Sequence, residues 1–521
     1  MNVFFNVGGN EVSPPGKQVI TEDINLAIER FRTLNPVLSK DEGVYYLNKL
    51  IYESLFVLDE NLAAVPLLAE SWAYSEDGKV LSIQLKTGIV WQDGSPFDGN
   101  DVVFSIDSFK ANPNEHIYGE NIRNIERAVV DRKDSSLITI YFRSVYNAGT
   151  ELLTFPILPK QLYKNVSTLR RSRDQFIPIG TGPYMVTGFD IYSHIILTGN
   201  PLYHGSIPTN RLIFQIMSNI EDALQMLASN QISFAISKSG NRDIIYRNPM
   251  INAISFLSNE AVWLGYNFDN IFLSAKDVRH AIAYAIDCRE ILETCYFNNG
   301  ILSDSIYPPG FLGVGHDENP FEVDLEKART LFDKAGFKDV DQDGLLDCYY
   351  TDGVDGYWTP FSLKMLVNES DSLRVEAARL IQSGFQKIGL DCELDFKQEE
   401  EYMAALNAGE FDLYLGSGQF NEAYDLRPLL HSEYNNLIGY ENTDLDYLLD
   451  RFTCANSTEQ RIELFKGIYN LLNDELPYYC LLYKSYGAVG SPALEGDMEP
   501  LFNNIYKGCE TWKCITVITA D

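Results

Sequence analysis

The run Asp339-x-Asp341-x-Asp343-Gly344-x-x-Asp347 gathers side chains that could bind a metal. Acids at alternate positions before a glycine can wrap oxygens around one Ca²⁺, as in the first half of an EF-hand loop. Such a loop needs a bidentate Glu at its twelfth position, where this chain has Tyr350. The spacing predicts a short, incomplete calcium loop, with Asp339, Asp341, Asp343 and Asp347 holding a structural Ca²⁺. The simpler alternative is a solvated acidic turn between a helix over 325–336 and a strand. Glu399-Glu400-Glu401 offers carboxylates of the kind glycosidases pair across a bond. At a helix start, however, the same three acids complement the helix dipole. Gly-x-Ser-x-Gly, P-loop, His-Glu-x-x-His and Gly-x-Gly-x-x-Gly motifs are missing, and the six histidines are scattered. No catalytic residue and no required cofactor are expected.

All eight cysteines lie at or beyond Cys288. Cys288 and Cys295 stand about two helical turns, or ~10.5 Å, apart, too far for a disulfide. Cys509 and Cys514 bracket a short loop and are the best disulfide candidate. With no CxxC and no nearby His pair, zinc is not expected.

The elements that must position these residues alternate between helix and strand. At 521 residues the chain is too long for one core. Hydrophobic residues make up 45% of it, enough for large cores. With 73 acids against 41 bases, the net charge is −32. That argues against nucleic acid or an anionic membrane as partner. No apolar run reaches about 18 residues. The N-terminal MNVFFNVGGNEVSPPGKQ lacks the parts of a signal peptide.

Residues 22–36 read as a strand ending at Pro36, and 41–57 as a helix, with Val44, Leu47, Ile51 and Leu55 at helical spacing. Leu81, Ile83 and Leu85 alternate with polar residues, as do Ile138, Ile140 and Phe142. Gly180-Thr181-Gly182-Pro183-Tyr184 enters a strand over 184–189. EDALQMLASNQISFAI (221–236) and EEYMAALNAGEFDLYL (400–415) align without a gap. Each has an acidic helix start, a breaker (Asn230 or Gly409) and a strand; Asn and Gly best tolerate a left-handed helix end. Coincidence is one account of this echo. The other is that two lobes share one unit. The fold class is mixed α/β.

Residues 68–104 carry, in order, Leu68 to Trp72, the Asp77-Gly78 turn, an alternating strand, Trp91-x-Asp93-Gly94 and a helix start at Asp101-Val-Val-Phe-Ser. This order resembles the family 5 extracellular solute-binding proteins, the dipeptide-, oligopeptide- and nickel-binding receptors of ABC importers. Thr33-Leu34-Asn35-Pro36, Ile51 to Leu55 (Ser54 replacing the family's Gly), Gly180 to Tyr184, and Tyr266-Asn267 leading to Val278–Asp287 extend the resemblance.

The resemblance implies a periplasmic-binding-protein-like fold of class II type, with two lobes, a hinge and a ligand cleft. Domain I would be 1–50, 169–269 and 479–521, domain II 51–168, and domain III 270–478. It implies a monomeric binding protein, not an enzyme, that closes on a small peptide and delivers it to the membrane permease of an ABC importer. The location would be extracellular or periplasmic, anchored through a removed lipoprotein signal. Glu422 would face the peptide ammonium, with Gln419 where the family has Trp, and Phe420 beside them. Glu42-Gly43-Val44 would pair with peptide backbone ahead of the domain I helix, with Tyr45 or Tyr46 facing the cleft. Trp263 would be a ligand-contacting aromatic. The alternatives are an oligosaccharide, a nickel chelate or, in another class, a secreted glycosidase.

Overall fold

The computed structural model describes residues 17–21, 23–144, 149–163, 176–220, 222–238, 251–315, 321–351, 356–434, 436–453, 455 and 457–518. The expectations about the extreme N-terminus therefore lie outside the described residues, as do Glu221 and Cys454. The fold is mixed α/β with two lobes, organised around one eleven-stranded sheet. At the centre of that sheet, two long strands, Asn252–Tyr266 and Tyr478–Gly490, run antiparallel.

Each end of this pair carries its own half-sheet. At one end, Tyr478–Gly490 pairs with Phe234–Ser237, and the sheet continues through Asp23–Glu29, Arg211–Met217, His194–Gly199 and Tyr184–Asp190. At the other, Asn252–Tyr266 pairs with Leu413–Gln419, followed by Ser362–Asn368 and Asp391–Lys397. Between the halves the ladder breaks. Leu257 pairs with Ser485 and Ala261 with Tyr483, so Ser258, Asn259 and Glu260 lie opposite Lys484 alone. Two cores follow this division: one includes Ile24, Leu26, Leu47, Leu197 and Phe214, the other Leu264, Ile282, Met365, Ile381 and Leu413.

The echoed unit serves once in each half. Helix Asp222–Leu227 leads through Asn230 (φ 56°) into Phe234–Ser237, and helix Glu399–Ala408 through Gly409 (φ 70°) into Leu413–Gln419. Both breakers take the left-handed conformation expected of them.

The strand from residue 22 is shorter than its sequence suggests, spanning Asp23–Glu29. Beyond it Asn35 folds the chain into a turn, its Oδ1 accepting from the Val37 N–H at 3.0 Å. The next helix, Glu42–Ile51, stops before residue 57 because Gly180 and Gly182 press on its last carbonyl. A Cβ at Gly180 would stand 1.8 Å from the Ile51 oxygen, and the Gly182 N–H donates to that oxygen at 2.9 Å. Cys509 and Cys514 do not form a disulfide. Both are buried and free, and their thiols face different partners, Tyr184 and Ser233 respectively.

Residues 68–104 form part of a separate four-stranded sheet in the order Ala69–Tyr74, Val80–Leu85, Leu137–Phe142, Ile125–Val130. Leu81, Ile83, Leu85, Ile138 and Ile140 are wholly buried, as their alternation requires. The Asp98–Asp101 capping box starts helix Gly99–Lys110. Asp101 is almost fully buried and accepts from the Trp91 indole (3.2 Å), the Asp98 N–H (3.1 Å) and the Lys160 N–H (2.8 Å). No helix among the described residues is long and apolar enough to cross a membrane.

Replacing Asp101 strands the buried Trp91 indole N–H, at about 1–3 kcal/mol, and removes the acceptor of two partly buried backbone N–H groups. Asp101→Ala is therefore expected to destabilise the protein by about 2 kcal/mol or more, read as a lower denaturant midpoint; an unchanged midpoint would refute this account of the segment.

Candidate functional site

A cavity of about 420 Å³ lies where the two halves face each other across the broken ladder. One wall is the helix Glu42–Ile51. Glu42, Tyr45, Tyr46 and Lys49 fall at i, i+3, i+4 and i+7, and so on one helix face. Tyr45 packs edge-on against Tyr46, ring centroids 5.2 Å apart, and against Tyr118 at 5.8 Å. The opposite wall is the turn after Leu413–Gln419. Phe420 and Asn259 exchange hydrogen bonds of 3.0 and 2.7 Å, and the Asn421 side chain caps Ala423 at 3.0 Å. That turn aims Glu422 back across the gap. Asn121, Tyr486 and Phe502 also line the cavity.

Five of the seven predicted ligand-binding residues meet here: Glu42, Tyr45, Gln419, Phe420 and Glu422. Two do not. Val44 is 1% exposed and packs into the core. Trp263 is also buried; its indole donates to the Tyr414 hydroxyl at 3.1 Å, and it lies behind Phe420 with centroids 5.8 Å apart. Trp263 is thus a support for the cavity wall and not part of its surface. Its strand position puts it beside Gly416 and Gly418, whose missing side chains leave room for the indole. Nor is Glu42-Gly43-Val44 extended. The helix begins at Glu42, so these residues already turn helically and cannot pair as a strand.

Glu422 is the electrostatic centre of the site. Its carboxylate accepts from the Tyr45 hydroxyl at 2.8 Å and from the Thr154 hydroxyl, and lies 3.7 Å from the Lys49 ammonium. One side chain thus joins the helix 42–51, the segment around Thr154 and the opposite half of the sheet. The ammonium expected at Glu422 is already supplied by the chain itself. Lys49 could be read from helical spacing once Glu42 and Tyr45 were chosen. Thr154, Tyr118, Asn259 and Tyr486 arrive from distant segments and carry no local signal.

Burial, and then the Glu422 charge, push the Tyr45 and Tyr118 phenols well above their ordinary range. Burial does the same to Tyr46 and Tyr486, helped by Glu42 and Glu260 respectively. These hydroxyls stay protonated at physiological pH and act as neutral donors. At the ladder break, Glu260 accepts from the Tyr486 hydroxyl and from Gln419 at 2.8 Å, and pairs with Lys484 at 3.0 Å. Burial alone would raise the Glu260 pKa, but the Tyr486 hydrogen bond, the Lys484 charge and Gln419 outweigh it, and the pKa is lowered.

The acidic loop lies elsewhere. Asp339, Asp341 and Asp347 each bring one oxygen within 4.8 Å of the others. Asp343 is not among them; its Oδ1 accepts from the Leu345 N–H at 2.8 Å. Gly344 makes the expected sharp turn at φ 92°.

The family model described as "Bacterial extracellular solute-binding proteins, family 5 Middle" matches residues 63–435. The chain belongs to this family of extracellular solute-binding proteins. It is 24% identical over 486 residues to the oligopeptide-binding protein AppA of Bacillus subtilis (strain 168), covering 89% of this chain and 86% of that one. It is 23% identical over 498 residues to the nickel-binding periplasmic protein of Escherichia coli (strain K12), covering 88% of each. The unliganded open form of the MppA periplasmic murein tripeptide binding protein superposes with a TM-score of 0.80 at 18% identity, over 96% of this chain and 99% of that one. These relatives are binding proteins, and the structural likeness is one of fold.

Because the Glu260 pKa is lowered from 4.5, its stabilising contribution is complete above that value and is lost as pH falls through the lowered one. Glu260→Gln is expected to melt below the wild type at neutral pH and to lose less stability between about pH 5 and pH 3. Parallel acid limbs in thermal melts of the two proteins would refute the assignment.

Proposed function

We propose that this chain captures a small peptide between its two lobes and presents it to the membrane permease of an ABC importer, without a covalent step. The observation that carries the proposal is Glu422, which reaches from one half of the sheet to Tyr45, Thr154 and Lys49 of the other. A cavity crossed by such a contact opens and shuts as the halves move, and a bound ligand favours the shut form. In this reading residues 270–478 move as a body on the two long strands. The chain works as a monomer tethered outside the cell through a lipid anchor.

Peptide is favoured by the cavity's chemistry. Phenols and the amides of Asn121, Asn259, Gln419 and Asn421 can both donate to and accept from peptide groups. Of the lining acids, Glu422 is paired with Lys49 and Glu42 with Lys238, so an ammonium binds here by taking the place of one of these lysines. Relatives named for oligopeptide and murein tripeptide binding support the same class. A nickel chelate is disfavoured because neither His nor Arg is among the described residues lining this cavity.

In this reading Lys49 holds the place of the ligand's ammonium at Glu422 and is displaced on binding. Lys49→Met is expected to tighten binding of a free-amino tripeptide about tenfold, equivalent to about 1.4 kcal/mol, and to leave its N-acetylated form unchanged. Calorimetric titration measures both. Native mass spectrometry of the purified protein should show a co-purified peptide mass. A sugar mass, or turnover of a chromogenic glycoside abolished by a carboxylate substitution, would overturn the proposal.

We also propose that Asp339, Asp341 and Asp347 hold a structural Ca²⁺. Their donor set is all oxygen, as Ca²⁺ prefers, with water completing its usual 6–8 ligands. Calcium is expected to raise the melting temperature of the wild type and not that of Asp341→Asn; equal melting with calcium and with chelator would exclude the site.

A further inference from the structure

The two lobes also touch away from the ligand cavity. Phe56 and Leu153 share a core with Ile24 and Leu26, and so belong to the lobe of helix Glu42–Ile51. From that lobe the hairpin of Phe56–Leu58 and Ala64–Pro66 projects toward the other. Its turn is fixed by Asp59, whose Oδ1 accepts from the Asn61 and Ala63 N–H groups, each at 2.9 Å. Leu58 and Leu62 are buried in a core of the opposite lobe, with Phe311, Phe452 and Phe465. The Leu312 N–H donates to the Asn61 carbonyl at 3.0 Å. Leu62 and Leu312 take φ 62° and 52°, a left-handed conformation that is costly for a residue with a Cβ and is kept only where the surroundings impose it.

A charge pair completes this contact. Arg461, on helix Thr458–Glu475 of the opposite lobe, places Nη1 3.1 Å from the Glu151 carboxylate, and the two side chains are only 11% and 4% exposed. The guanidinium also lies over the Phe452 ring, 4.2 Å from its centre. A cavity of only about 30 Å³ remains here, with Ala63, Glu151, Leu312 and Arg461 among its lining, so the hairpin and the charge pair form one interface. Taking either charge out of water is costly unless its partner is present. Separation of the lobes would return both to water.

Glu151 is tied to the ligand cavity through its own segment. Thr154, three residues on, donates to Glu422. Asn121, which lines the cavity, donates to the Leu152 carbonyl at 2.9 Å and to the Thr154 hydroxyl at 3.2 Å. Residues 151–154 therefore meet the opposite lobe twice, at Glu422 inside the cavity and at Arg461 outside it.

We propose that Glu151–Arg461 and the hairpin around Leu62 form a latch that holds the lobes shut, and that they set ligand affinity without touching the ligand. The inference rests on the lobe closure of the reading above, and not on which ligand is bound. Apparent affinity scales with the fraction of chains in the binding-competent form, so a weaker latch lowers affinity for every ligand alike. Removing one charge leaves the other buried and unpaired in the shut form only. Removing both leaves neither, and an apolar pair can replace a buried ion pair without loss.

The test is small-angle X-ray scattering of the full chain, dialysed free of small molecules. Glu151→Leu and Arg461→Met are each expected to shift the radius of gyration above that of the wild type. The double variant Glu151→Leu/Arg461→Met is expected to return it to the wild-type value. Leu62→Asp, which sets a charge in the opposite lobe's core only when the lobes are shut, is expected to open the chain as the single charge removals do. A wild-type radius in the single variants overturns the latch and leaves capture between the lobes standing, since ligand titration of the wild type tests that separately. A radius that stays large in the double variant also overturns it, because loss of packing and not of pairing would then be the cause. Should one single variant not fold, as judged by its thermal melt, the other and Leu62→Asp carry the same expectation and decide the question.

Discussion

Two antiparallel strands, Asn252–Tyr266 and Tyr478–Gly490, carry the main sheet from one lobe to the other, and their hydrogen-bond ladder is interrupted midway. A continuous ladder would make eleven strands one stiff body. Three residues stand opposite one at Ser258–Glu260, while the pairing on either side holds each half together. The side chains that meet across the gap sit beside the interruption: Glu260 binds Gln419 and Tyr486, and Asn259 binds Phe420. The ladder break and the cavity are thus built from neighbouring residues.

The charge distribution around the cavity follows from this placement. Glu422, Glu42 and Glu260 each meet a lysine, Lys49, Lys238 and Lys484 respectively, and each also accepts from a tyrosine hydroxyl. A carboxylate shared between an ammonium and a phenol is satisfied without a ligand, yet its lysine can leave while the phenol stays. The phenols remain neutral donors, so each of these carboxylates keeps a hydrogen bond beside its ammonium.

Much of the fold was legible in the sequence because its rules are local. Period-two alternation gave Val80–Leu85 and Leu137–Phe142, and the paired 221–236 and 400–415 segments gave the unit repeated in each half. Element ends were less legible where a distant segment decides them, as at Ile51, whose carbonyl is stopped by Gly180 and Gly182 from across the molecule. The candidate site divides the same way. Glu42, Tyr45 and Glu422, which flank recognisable elements, line the cavity. Val44 and Trp263 lie behind its walls, because a strand or helix start says which residues are near it, not which face they take. Tyr118, Thr154 and Asn259 were missed because only tertiary folding brings them there.

The seven cysteines of the described residues are buried and free. Burial pushes the Cys295 thiol up to about 11 and Cys392 up to about 12. Oxidation and disulfide exchange proceed through the thiolate, which is scarce at such values near neutrality and shielded from reagents by the surrounding core. A protein of this family works outside the cytoplasm, where thiols are readily oxidised. For these seven, protection from oxidation comes from packing and not from cross-linking: while the cores stay folded the sulfurs are shielded, and partial unfolding exposes them to oxidation and disulfide exchange. Oxidation of these seven thiols is accordingly governed by how seldom the cores that hold them open.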